Sequence, residues 1–123
     1  LLANELKNIK IVGLHLHIGS QITDKDSFEL ASKKVSGYIK KLSDAKIKLK
    51  YIDMGGGLGI KYNDEKIITP AEYAQAVMSN LPKNHTIILE PGRFIVAEAG
   101  ILVTKIIYIK KTLKKNFPLW IFG

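Results

Sequence analysis

The sequence predicts an α/β fold in which a parallel sheet or barrel gives way, towards the end of the chain, to a small β region. Short apolar runs end in glycine-marked polar turns at His17-Ile18-Gly19-Ser20, Gly55-Gly56-Gly57 and Glu90-Pro91-Gly92-Arg93. The central glycines lie about 37 residues apart, the length of one strand-loop-helix-loop unit. Past Arg93 no crossover helix is expected, and β-rich runs take over. Repeating this unit with a polar turn after every strand builds one face of a parallel barrel or sheet, where chemistry sits at the C-terminal strand ends.

Each element has its own signal. Leu1 to Lys10 reads as the tail of a helix running into a strand, and a chain opening on leucine rather than methionine is expected to be a fragment. Ile9 to His17 is the first strand, with His15 and His17 two apart and so on the same side. From about Asp26 to Ala45 the apolar residues Phe28, Ala31, Val35, Tyr38, Ile39 and Leu42 fall at helical spacing, with lysines on the other face. Lys50 to Met54 is the second strand, followed by a glycine turn over 55–59 and a longer loop through Tyr62 and Asp64. Thr69-Pro70-Ala71-Glu72 is a capping box with proline at the first helical position, so a second helix starts there and runs to about Leu81. Thr86 to Leu89 is a continuous apolar run, as in a strand buried on both faces. Phe94 to Val96 and Ile101 to Ile109 read as β, with Gly100 between them. The run 116–123 is apolar, but Pro118 opposes continued strand pairing, and no element is assigned beyond about Lys115.

Composition narrows the function. A chain of 123 residues, 46% hydrophobic, has the length of one domain. The absence of cysteine excludes disulfides and thiolate metal sites and agrees with a reducing cytoplasm. No signal peptide is recognisable, and the apolar stretches fall far short of the ~20 residues that cross a bilayer. The net charge of +8 comes from scattered lysines such as Lys33-Lys34, Lys40-Lys41 and Lys110-Lys111, without the aromatic or arginine-rich elements of a nucleic-acid binder. Arg93 is the only arginine, which points to a site that needs a planar fork of donors for an anion.

The three turns hold the candidate site. Gly55, Gly56 and Gly57 permit positive φ, and successive amides in such a turn can cradle an anion; a sharp turn without a ligand is the plainer reading. Gly19 with Ser20, and Gly92 with Arg93, sit at equivalent strand ends, so amides, a hydroxyl and a guanidinium can converge on one phosphate. Glu90 closes an apolar strand and needs a partner, either Arg93 or a lysine, or a cationic ligand nitrogen. His17 is either a satisfied interior histidine or a ligand contact. His15 and His17 also form a His-x-His pair, the start of a divalent-metal hydrolase site that lacks further ligands, since His85 lies at the opposite strand end and Asp53 alone does not complete the shell.

The stretches Gly13 to Gln21, Asp53 to Ile60 and Glu90 to Phe94 together resemble the fold type III pyridoxal-phosphate decarboxylases, which have an alanine-racemase-like barrel. Within that family, Ser20-Gln21-Ile22-Thr23 and Leu58-Gly59-Ile60 favour the branch that acts on diaminopimelate over those acting on ornithine, arginine or carboxynorspermidine. The resemblance implies the late part of a (β/α)8 TIM barrel over residues 1–93, followed by the first strands of a truncated β domain over 94–123. It implies pyridoxal 5′-phosphate as cofactor, held by Ser20, the glycines at 55–57 and the turn Glu90, Pro91, Gly92, Arg93. Glu90 would face the pyridine nitrogen, His17 would stack on the ring, and Arg93 would also approach a substrate carboxylate. The implied reaction removes the carboxyl group at the D centre of meso-2,6-diaminopimelate and yields L-lysine, in a cytoplasmic enzyme that is a homodimer when whole. No segment matches the family's Schiff-base lysine, so the chain alone is expected to be a poor catalyst. The rival readings are a non-catalytic fragment that binds phosphate or a complementing piece, and the metal hydrolase built on His15 and His17.

Overall fold

A computed structural model describes residues 2–112 and 115–121. Three short strands, β1 (Gly13–His15), β2 (Tyr51–Asp53) and β3 (Thr86–Ile88), form a parallel sheet in the order β1-β2-β3. The register aligns Leu14 with Ile52 and Ile87, and His15 with Asp53 and Ile88. Because strand side chains alternate, the first row faces one side of the sheet and the second row the other. The strands are shorter than the sequence predicts, and Leu2–Glu5 is a 3-10 turn with every residue exposed.

Two helices cover the Leu14-Ile52-Ile87 side. Helix α1 (Lys25–Asp44) begins on Asp24, whose side chain accepts from the Ser27 amide, and its buried stripe is Phe28, Ala31, Ser32, Val35 and Ile39. Tyr38 lies outside that stripe and is exposed, with the Lys41 ammonium 5.7 Å from its ring centroid. Helix α2 (Pro70–Met78) starts with the expected capping box and buries Tyr73, Ala76 and Val77. The rings of Phe28 and Tyr73 meet edge to face at 4.7 Å, and Ile52, Met54 and Leu58 fill the space beneath them. A leucine- or isoleucine-sized side chain contributes about 1.5–3 kcal/mol when fully buried, so this single layer of core holds the sheet and helices together.

The reading of Phe94 to Val96 as β does not hold. These residues belong to a short helix, α3 (Gly92–Val96), closed by amide bonds from Ile95 to the Pro91 carbonyl and from Ala97 to the Arg93 carbonyl. Local β propensity loses here to the turn that Pro91 opens with its fixed φ. An antiparallel hairpin follows, β4 (Lys105–Lys111) with β5 (Asn116–Ile121), and among the described elements it pairs only with itself. Pro118 does not prevent this pairing: it lies opposite Ile109, and a two-stranded ribbon leaves each strand an edge on which a missing N–H is tolerated. Phe122 and Gly123, the end of the run that the sequence reading left unassigned, lie outside the described residues.

The expectation that β3 is buried on both faces also fails within this chain. Thr86 and Ile88 are exposed, and Leu89 keeps 40% of its surface, because β3 is an edge strand of the three.

Candidate functional site

The three turns meet. The Gly55–Gly57 segment lies between the other two, and a Cβ added at these glycines would sit 2.3 Å from the Leu16 carbonyl oxygen at Gly55, 2.2 Å from that of Glu90 at Gly56 and 2.2 Å from that of Gly19 at Gly57. Gly55 and Gly57 also hold φ of 67° and 100°. Glycine is therefore required by the packing of turn on turn, whether or not a ligand approaches. Hydrogen bonds fasten the same junction, from the Glu90 amide to the Gly55 carbonyl at 2.8 Å and from the Ile22 amide to the Gly57 carbonyl at 2.9 Å. Gln21, at φ 58°, has its side-chain amide bonded in both directions to the Ile60 backbone, which offsets the strain of a left-handed non-glycine residue.

On this frame stand the polar side chains of the helix-free side. His17 Nδ1 accepts from the Gly56 amide at 3.3 Å, which leaves Nε2 to carry the proton of the neutral ring. Asp53 accepts from the Gly55 amide at 2.9 Å. Of the partners expected for Glu90, Arg93 or a lysine on the one hand and a cationic ligand nitrogen on the other, neither Arg93 nor a lysine pairs with it among the described residues; His15 Nε2 lies 3.6 Å from the carboxylate, with both side chains more than half exposed. One donor atom each from His15, Asp53 and Glu90 lies within 4.8 Å of the others. That cluster has the composition of a divalent-cation site, but it does not contain His17, which the His-x-His reading paired with His15. His85 stays apart, just before β3, with its Nδ1 buried and unbonded among the described residues.

Arg93 pairs with a tyrosine. Its guanidinium donates to the Tyr62 hydroxyl at 2.8 Å and lies 6.0 Å from that ring's centroid, over the loop that follows the glycine turn. Ser20 is exposed beside Gly19. Among the described residues neither the Ser20 hydroxyl nor Arg93 bonds to the glycine turn. Two residues behind the site were not singled out from sequence. Tyr73 is buried beneath it with an unbonded hydroxyl, pushed up in pKa first by burial and then by the Asp53 charge. Glu65 accepts from the Tyr62 amide at 2.9 Å and from the Asn63 amide at 2.7 Å, and these bonds, that from Tyr62 foremost, hold its carboxyl below the usual range. No spacing or composition signal marks Tyr62 or Glu65 in the sequence.

A parallel α/β sheet whose strand-end turns carry glycines, a histidine and a carboxylate narrows the class of protein. Residues 1–97 match the pyridoxal binding domain of the pyridoxal-dependent decarboxylases, and the chain belongs to that family. Within it the chain is similar to diaminopimelate decarboxylase of Haemophilus influenzae, 46% identical over 121 residues that make up 96% of this chain and 29% of the relative. The crystal structure of the Helicobacter pylori diaminopimelate decarboxylase complexed with L-lysine superposes with a TM-score of 0.79 at 40% identity, covering 97% of this chain and 30% of that one. The Vibrio vulnificus lysine/ornithine decarboxylase complexed with putrescine is more distant, at 26% identity and a TM-score of 0.70 over 95% of this chain and 33% of its own. The chain thus spans about 30% of the length of the relatives it matches. No helix among the described residues is long and apolar enough to cross a membrane.

Proposed function

We propose that this chain is the late part of the cofactor-binding (β/α)8 barrel, over 1–93, and the start of the β domain, over 94–123, of an enzyme that decarboxylates meso-2,6-diaminopimelate to L-lysine. The observation that carries this reading is the interlock of the three turns, which gathers His17, the glycines and Glu90 on one face, together with 46% identity to a diaminopimelate decarboxylase. The whole enzyme is a cytoplasmic homodimer in this reading.

The donor set fits pyridoxal 5′-phosphate. Glu90 presents a half-exposed carboxylate that makes no hydrogen bond among the described residues, as a partner for a protonated ring nitrogen should. His17, fixed at Nδ1 by the Gly56 amide, offers the ring against which the cofactor stacks. Ser20, the Gly57 amide and the Pro91-Gly92-Arg93 turn hold the phosphate; Gly55 and Gly56, whose amides are given to Asp53 and His17, shape the turn beside it, and Arg93 also receives a substrate carboxylate. Bound there, the cofactor supplies an electron sink for the carbon that loses carbon dioxide. The part of Glu90 is to keep the ring nitrogen protonated, so that the sink stays electron-poor while the bond breaks.

Residues 1–97 grafted in place of the matching segment of the Haemophilus influenzae enzyme test this. The chimera is expected to release carbon dioxide from meso-diaminopimelate and to leave ornithine and arginine unreacted. A chimera that folds and binds cofactor yet prefers another amino acid would refute the assignment. The cluster of His15, Asp53 and Glu90 is the one observation that favours a metal hydrolase. That second reading requires one tightly held zinc per chain by elemental analysis.

A further inference from the structure

Arg93 is tethered by a residue that the proposed function does not use. The loop that carries Tyr62 is fixed at both ends: Gln21 bonds Ile60 in both directions, and the Glu65 carboxylate takes the amides of Tyr62 and Asn63. From this held loop the Tyr62 oxygen accepts a hydrogen bond from Arg93 at 2.8 Å, and the ring lies beneath the guanidinium at 6.0 Å, within cation–π range. An accepting tyrosine keeps its own O–H to give away. No acceptor for that proton exists among the described residues, and both side chains are exposed. The guanidinium in turn spends one N–H on Tyr62 and retains the rest of its fork.

We propose that Tyr62 and Arg93 form one oxyanion clamp, in which the Tyr62 oxygen holds the guanidinium in place and the Tyr62 hydroxyl donates to the anion that Arg93 binds. The clamp rests on the reading that Arg93 meets an oxyanion, either the phosphate of the cofactor or a substrate carboxylate. It makes the 60–65 loop a part of the site and Tyr62 a binding residue as well as a positioning one.

Two measurements test it. Arg93 is the only arginine, so the 15N-labelled chain gives a single Nε–H resonance. Tyr62→Phe, which keeps the ring and removes only the hydroxyl, is expected to move that signal towards free arginine and speed its exchange with water, with an unchanged melting temperature. A resonance identical in Tyr62→Phe and the parent chain overturns the clamp, whatever the ligand does. The second measurement is the affinity for pyridoxamine 5′-phosphate, which forms no Schiff base with a lysine, and separately for diaminopimelate. Tyr62→Phe should weaken one or both by about three- to tenfold, the worth of one net hydrogen bond. In an Arg93→Lys background the same change should cost little, because clamp partners are not additive. A loss confined to the first probe identifies the oxyanion as phosphate, and one confined to the second as carboxylate. Equal losses in both backgrounds overturn the clamp. An Arg93→Lys chain that binds both probes as tightly as the parent refutes Arg93 as the anion's partner, and the clamp with it, even if the resonance responds to Tyr62.

Discussion

At the scale of single residues, the sequence marks where the turns are but not why their glycines are fixed. Gly55, Gly56 and Gly57 stand out as a run, and phosphate binding is the obvious use for them. Their first reason is steric, since each faces a carbonyl oxygen of a neighbouring turn. Gly55→Ala is therefore expected to destabilise the fold by at least about 1–3 kcal/mol, through positive φ and the clash with Leu16 together. Gly92→Ala, where a Cβ would meet nothing within 4 Å, should stay within about 0.5 kcal/mol of the parent. Urea denaturation of the two variants checks the contrast, and equal losses would refute it. The closeness of Glu90 to His15 was not foreseen for a related reason. Both His15 and Glu90 are visible in the sequence, yet only the register that sets His15 beside Asp53 brings them together on one face.

At the scale of elements, the signals that were legible are those written in local chemistry. Thr69 and Glu72 form the capping box that their spacing announces, whereas the cap of α1 falls on Asp24, one residue before the helix and two before its expected start. Both carboxyls lie below their ordinary range: Asp24 through the amide and then the hydroxyl of Ser27, Glu72 through the amide and then the hydroxyl of Thr69. A depressed carboxyl stabilises the fold above its unfolded pKa and loses that contribution as pH falls through the folded value. Melting temperature should therefore drop between about pH 5 and 3, and Asp24→Asn with Glu72→Gln should flatten that part of the profile. The end of α2 depends on local partners and on one, Ser32, that is distant in sequence. Helix α2 stops at Met78, short of the expected Leu81, with its last carbonyls taken by the Ser79 amide at Gln75, the Ser79 hydroxyl at Ala76, the Ser32 hydroxyl at Val77 and the Leu81 amide at Met78. Ser32 is fully buried, so Ser32→Ala should cost about 1–3 kcal/mol by leaving the Val77 carbonyl unsatisfied. After α1, Lys46 holds φ 60°, and Lys46→Gly is expected to raise stability by about 1 kcal/mol, read as a higher urea midpoint.

At the scale of the whole molecule, the repeat of strand, turn and helix was legible, and the exposed faces of β3 were not, because a strand's burial depends on neighbours its own residues do not encode. Among the described residues β1 and β3 each have one unpaired edge, and the hairpin exposes Ile106, Ile107, Tyr108 and Ile109 together with Phe117 and Leu119. Open edges and apolar patches of this kind recruit other chains. Light scattering should show mass rising with concentration, and Ile107→Lys with Phe117→Lys should suppress it; a chain monomeric at high concentration would contradict this. The meeting of the three turns also bears on how such a segment tolerates change over generations. A library that randomises any one turn should yield few survivors, and those should be concentrated at outward-facing positions such as Ile18, because the backbones brace one another and a displacement in one is handed to the other two. Novelty in substrate choice would then have to arise from the loops around this keystone, with the keystone itself inherited intact.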